Sequence, residues 1–181
     1  DNSAYNIAGY GNCYSYNDAS IGRNPIRLKN FKRIINFDIK KKTIEVETGI
    51  LLEELINITL KNNLIIKSLP GSRYVTLGGI IANNTQGKTL KKCFIRDYII
   101  SLKVLHNRKI IECSLSKNRK LFLSTIGGKG CTGIILSAKL KLDKIYSSTI
   151  MLEKVFFNNL EELNSKFKKL KKSDYLVAWI D

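Results

Sequence analysis

This chain has little histidine, proline or clustered cysteine, and each scarcity closes a route. His106 is the one histidine, so any Ser-His-Asp or Cys-His centre would depend on it. It stands beside Asn107 and Arg108 between two strand-like runs, where an exposed turn is its expected home. Cys13, Cys93, Cys113 and Cys131 are widely spaced and form no C-x-x-C, which argues against a structural zinc site. They read as reduced thiols of a cytosolic-type compartment. Only Pro25 and Pro70 punctuate the chain, and no apolar run approaches the roughly 20 residues that span a bilayer. The opening Asp1-Asn2-Ser3-Ala4 has no initiator Met and no basic-then-apolar leader, so the chain reads as a fragment or a trimmed product. Internal repeats and low-complexity linkers are also missing.

What is present is a normal core composition. Of 181 residues, 44% are apolar and 25% charged, enough for one large domain or two small ones. The formal charge of +16 suits nucleic acid, an anionic membrane surface or phosphorylated ligands. The lysines are nevertheless scattered, densest at residues 40–42 and 168–172, without the interleaved aromatics on which single-stranded bases stack. A solvated basic surface is the favoured reading, and no nucleic-acid partner is expected.

Periodicity divides the chain into three zones. In the first, to about residue 69, residues 34–38 and 43–48 alternate as half-buried strands around a Lys-rich turn. Residues 51–62 follow as an amphipathic helix, and Ile65-Ile66 begins a short strand. The second zone predicts a short helix at 78–82, a strand pair at 98–105 and 109–113 around His106, a short helix at 117–123, and a long strand at 132–142. The third, from residue 147, predicts a strand at 151–157, a helix capped by Asn159, and a strand at 175–180.

Three glycine-bearing segments carry the chemical signal: residues 9–18, 70–79 and 127–133. Glycine lets backbone amides approach a ligand closely, and successive amides form concave anion nests. Each segment alone reads as a tight turn; three in one basic chain point to phosphate binding. Residues 82–89 nearly fit a P-loop. That reading fails because the preceding residues look helical and the next strand ends in His106 rather than a magnesium-binding Asp. No G-x-G-x-x-G lies between a strand and a helix, so a dinucleotide Rossmann reading fails too.

Pro70-Gly71-Ser72-Arg73-Tyr74-Val75-Thr76-Leu77-Gly78-Gly79-Ile80-Ile81-Ala82 resembles the flavin loop P-G-T-R-x-V-T-V-G-G-A-I-A of the decaprenylphosphoryl-ribose oxidase branch of the vanillyl-alcohol oxidase / p-cresol methylhydroxylase family. Gln86-Gly87-Lys88 falls where that family carries H-G-K. Residues 127–135 resemble its G-G-x-G-L-T-G-I-I, and Ser15-Tyr16-Asn17-Asp18 its S-Y-G-D. In a second register, two residues earlier, Tyr14 takes the place of Tyr16.

The resemblance implies an α+β fold of the PCMH type. Two α+β subdomains, residues 1–69 and 70–146, would clasp FAD, and residues 147–181 would begin a substrate domain. It also implies roles. Amides around Gly11, Asn12, Cys13, Tyr14 and Ser15, with those of Thr76, Leu77, Gly78 and Gly79, would hold the pyrophosphate. Gly71, Gln86, Gly87, Lys88 and Thr89 would lie near the flavin. Thr132, Gly133, Ile134 and Ile135 would contact the adenosine side. Lys88 and Tyr16 would face the substrate as catalytic residues. Many relatives tether FAD through a histidine, but Gln86 stands at that position, so non-covalent FAD is expected; Cys13 and Cys93 leave a cysteinyl bond formally open.

The implied activity is oxidation of a CH–OH group of a sugar or sugar-lipid by hydride transfer to flavin. The alternatives are a sugar-lactone or alditol oxidase of the same superfamily, or a non-catalytic flavin- or nucleic-acid-binding module. A cytoplasmic location is expected, with peripheral membrane contact left open. Oligomeric state is not legible.

Overall fold

The structure, a computed structural model, describes residues 7–15 and 24–180. Strand β1 (Ile7–Tyr10) pairs in parallel with β2 (Asn24–Arg27). β3 (Ile34–Asp38) and β4 (Thr43–Glu47) form the expected antiparallel hairpin, with Lys42 left-handed at φ 54° in the Lys-rich turn. Helix α1 (Leu52–Leu60) buries Leu52 and Leu55, and the Glu54 carboxylate accepts the Leu51 amide at 3.0 Å to close its first turn. β5 (Leu64–Ile65) and α2 (Leu77–Ala82) follow.

A 3-10 turn (Ile95–Tyr98) leads into β6 (Ile99–His106), which hairpins to β7 (Lys109–Ser114). Asn107 and Arg108 are both left-handed, the two-residue geometry that matches strand twist. His106 is therefore the last residue of β6 and half-buried, which corrects its expected place in an exposed turn. α3 (Arg119–Thr125), β8 (Ile134–Lys141), β9 (Asp143–Lys144) and α4 (Leu160–Lys169) complete the order.

The main sheet is antiparallel with strand order β3-β4-β8-β6-β7, and β5 pairs separately with β9. β8 lies between β4 and β6, so the sheet is drawn from both sides of residue 69. β8 also buries Ile134, Ile135, Ser137, Ala138 and Leu140, as a central strand does. One core joins Ile44, Val46, Leu52, Leu55, Leu77, Ile81, Tyr98, Leu102 and Leu140, which are 0–1% exposed.

Two expected strands are corrected. Residues 151–157 form none, and residues 175–180 contribute only an isolated bridge between Tyr175 and Thr89. A strand needs a neighbour for its backbone groups: residues 151–157 have no partner strand, with Met151 97% and Phe156 85% exposed, and residues 175–180 meet only the backbone at Lys88 and Thr89.

Candidate cofactor site

Helix α2 links the glycine segments. Its sequence starts a helix because Thr76 is extended and its hydroxyl accepts the Gly79 amide at 3.2 Å. Leu77, Ile80 and Ile81 seat it in the core. The Leu77 amide donates to Ile50 O at 2.9 Å and the Gly78 amide to Thr48 O at 2.8 Å. Three amides expected to face a pyrophosphate thus have protein acceptors: those of Leu77 and Gly78 anchor the helix to residues 48–50, and that of Gly79 closes the Thr76 cap. The Thr76 amide donates to no described residue.

The first glycine segment lies directly on that helix start. A Cβ on Gly11 would stand 2.2 Å from Thr76 Oγ1, so only glycine fits there. Asn12 Nδ2 donates to Tyr74 O at 3.0 Å, and Cys13 is left-handed at φ 57°. The Tyr14 ring stacks on Tyr74 with centroids 6.2 Å apart. Arg73 also holds that tyrosine: its guanidinium lies 5.0 Å from the ring, donates to the Tyr74 hydroxyl at 2.8 Å and pairs with Glu53 at 3.4 Å. The amides of Gly11, Asn12, Cys13, Tyr14 and Ser15 donate to no other described residue. Tyr16 lies outside the described residues.

The third segment is tied to the other end of α2. The Gly127 amide donates to Ile81 O at 3.0 Å and the Lys129 amide to Ala82 O at 2.9 Å. Thr132 is held twice: its hydroxyl lies 2.9 Å from that of Thr125, and its carbonyl lies 2.6 Å from His106 Nδ1, which places the proton on that nitrogen. Gly133 is left-handed at φ +129°, and a Cβ there would meet Leu105 O at 2.2 Å. Ile134 packs against Gly9, and the Thr48 hydroxyl donates to Ile135 O, so this segment also reaches β1. The amides of Gly130 and Thr132 donate to no described residue.

The Gln86–Thr89 stretch lies behind the 68–69 backbone. A Cβ on Gly87 would stand 2.7 Å from Leu69 N and Ser68 Cα, and the Gly87 amide donates to Cys93 O at 2.6 Å. Gln86 and Lys88 are exposed, and Lys88 makes no ion pair with a described residue. Thr89 is buried, its hydroxyl donating to Lys92 O at 3.4 Å. An open cleft of about 390 Å³ lies between Leu52 and Ile56 of α1 and the turn from Leu69 to Tyr74. Gly71 has free space where a side chain would be, and Pro70 lines the wall. An apolar floor beside open backbone suits a flat ring system.

The P-loop likeness dissolves in this setting, because helix α2 precedes residues 82–89 where a P-loop needs a strand. Among the described residues no three His, Cys, Asp or Glu side chains gather as a metal site, and no helix is long and apolar enough to cross a membrane.

Sequence reasoning missed the Tyr14–Tyr74–Arg73–Glu53 clasp and the His106–Thr132 tie. Both tyrosines lie inside the quoted motifs, yet their pairing depends on a tertiary approach that only Gly11 hinted at.

Close-approach glycines and unspent amides at the ends of α2, with an apolar cleft between α1 and the 69–74 turn, suit a phosphate-bearing aromatic cofactor, and the residues present fit FAD. Residues 3–114 match the family described as FAD binding domain. The chain belongs to that family and binds FAD.

It is 32% identical over 152 residues to L-gulonolactone oxidase of Bos taurus, covering 83% of this chain and 34% of that protein. It is 26% identical over 178 residues to decaprenylphosphoryl-beta-D-ribose oxidase of Mycolicibacterium smegmatis, covering 96% and 39%. A solved structure of alkyldihydroxyacetonephosphate synthase matches with a TM-score of 0.68 at 21% identity over 76% of this chain and 27% of that one, a likeness of fold. The fold is thus the α+β PCMH type. The chain spans about a third of the length of the curated relatives it matches.

Proposed function

We propose that this protein serves an FAD-dependent oxidoreductase reaction that oxidises a CH–OH group of a sugar or sugar-lipid, and that these residues supply its FAD-binding part. The observation that carries the reading is the convergence of the three glycine segments on α2. FAD, when bound, supplies the hydride acceptor. The amides of residues 11–15 and of Thr76 hold the pyrophosphate. Gly71, Gln86 and Gly87 lie toward the ring system and the backbone from Thr132 to Ile135 toward the adenosine, whereas Thr89, expected beside the ring, is buried on Lys92 O and lines a separate cleft. Lys88, exposed and without a carboxylate partner, faces the substrate with Tyr16 and orients its hydroxyl.

FAD is held without a covalent bond in this reading. Gln86 has no nucleophilic nitrogen, and His106 is engaged with Thr132 O. The two FAD-binding subdomains would meet near residue 69, with a substrate domain starting after residue 146. A cytoplasmic setting with peripheral membrane contact fits the four free thiols and the basic surface.

Anaerobic mixing of the flavin-loaded protein with a panel of sugars, sugar phosphates and aldonolactones tests the activity. Bleaching of the visible flavin band by a sugar or sugar-lipid alcohol is expected; no bleaching by any CH–OH compound overturns it. The second reading, a sugar-lactone oxidase, is favoured by the likeness to L-gulonolactone oxidase. It predicts that aldonolactones bleach the band fastest.

A further inference from the structure

A second cleft, of about 570 Å³, opens where the stretch after α4 meets the body of the molecule. Half of its twelve lining residues are lysines, Lys67, Lys91, Lys92, Lys144, Lys171 and Lys172, although the chain has only 24 lysines among 181 residues. They come from four separate stretches: the segment just after β5, residues 89–92, β9, and the turn beyond α4. Two of them are neutralised within the cleft. Lys67 Nζ lies 3.0 Å from Asp174, and Lys92 Nζ lies 3.0 Å from Asp143, whose other oxygen accepts the Tyr98 hydroxyl at 2.8 Å. Both carboxylates are thereby used. Lys91, Lys144, Lys171 and Lys172 have no carboxylate partner among the described residues. Four exposed like charges line one concavity, the Lys144 ammonium resting 5.8 Å from the Tyr146 ring; they repel one another when it holds only water, and a multiply charged anion reverses the sign of that interaction.

We infer that this cleft binds the phosphate groups of a ligand carrying at least two negative charges, a diphosphate or a phosphate ester. Ammonium groups are compact point charges with rotatable donors, suited to converging on tetrahedral phosphate oxygens rather than to the bidentate pairing of a planar carboxylate. The space exceeds that of a single oxyanion. The cleft walls include Thr89, whereas the neighbouring Lys88 is not among the lining residues. The C-terminal wall is fastened by the Lys67–Asp174 pair, the Thr89–Tyr175 bridge and the Leu176 amide on Lys88 O. Binding here does not depend on the redox reading.

The test is calorimetric titration of pyrophosphate into the full chain held at saturating FAD, at about 0.15 M salt, where surface charges are screened beyond about 8 Å. One saturable site is expected. It should weaken at least about tenfold, the change that follows from losing two charge-assisted contacts, in Lys171→Gln/Lys172→Gln and in Lys91→Gln/Lys144→Gln. Lys40→Gln/Lys109→Gln, on the two hairpins, should leave it unchanged. Vesicles of phosphatidic acid distinguish the sources. Co-sedimentation lost in the same variants assigns the phosphate to a lipid headgroup; pyrophosphate binding without co-sedimentation assigns a soluble ester. No saturable binding, equal weakening in the hairpin variant, or affinity that rises when FAD is withheld would each overturn the inference.

Discussion

Residues 28–142 and residues 143–180 are built by different means. In the first region lie all the buried apolar side chains among the described residues, from Leu28 to Leu142. In the second, α4 buries none, and its order comes from local chemistry. Asn159 accepts the Glu162 amide at 2.8 Å, Glu162 pairs with Lys166 at 2.6 Å, and acids lead while lysines close the helix. The difference teaches where function is held. The three glycine segments are fixed by the buried region, whereas the second region joins that region through the β5–β9 pairing and polar ties at Lys67, Lys88, Thr89, Lys92 and Tyr98. Local stability should therefore be graded, high around α2 and low around α4.

The hardest test of that contrast is a pair of truncations. Leu77→Ala, at a site with no exposure, should cost about 2–5 kcal/mol in urea unfolding. Leu163→Ala, half-buried on α4, should cost less than about 1 kcal/mol. Equal costs would break the comparison.

Next in size, Gly11→Ala should separate binding from folding. Its Cβ pushes the first segment off Thr76, and losing one or two amide contacts to charged phosphates, about 1.5–3 kcal/mol each, weakens FAD roughly ten- to hundredfold or more. The unfolding midpoint without FAD should move little, read by fluorescence titration beside a thermal melt. Asn159→Ala should remove about 1 kcal/mol from α4 alone. Hydrogen exchange should speed up across residues 160–169 and stay unchanged across β8.

The smallest effect is an acid one. Hydrogen bonds from the Arg33 guanidinium hold the buried Glu47 carboxyl below the ordinary carboxylate range, outweighing the opposite push of burial. A depressed folded value stabilises the protein above the unfolded value, about 4.3, and that share is lost as pH falls through the folded one. Arg33→Gln should flatten the acid limb of the stability curve while leaving α4 exchange unaffected.

Much of the buried region was legible because its periods are strong. Residues 34–38 and 43–48, the 51–62 helix and the long strand ending near residue 141 follow from alternation and helical spacing, within a few residues at each end. The third zone misled for the opposite reason. Alternation in residues 151–157 and 175–180 has the look of a strand, but a strand exists only through a neighbour, and sequence does not say whether one is there. At the site, the motifs marked segments that the structure brings together at the two ends of α2. They could not show that Leu77 and Gly78 spend their amides on Ile50 and Thr48, because such pairings join residues far apart in the chain. They could not place His106 against Thr132 either.

We propose that FAD is held here without a covalent bond. The most direct test of that proposal is the visible spectrum of the purified, FAD-saturated protein before and after acid precipitation. A flavin spectrum on the intact protein, with all the colour released to the supernatant and the pellet left colourless, is the predicted result. A protein that takes up no FAD, or a pellet that stays yellow, would contradict it.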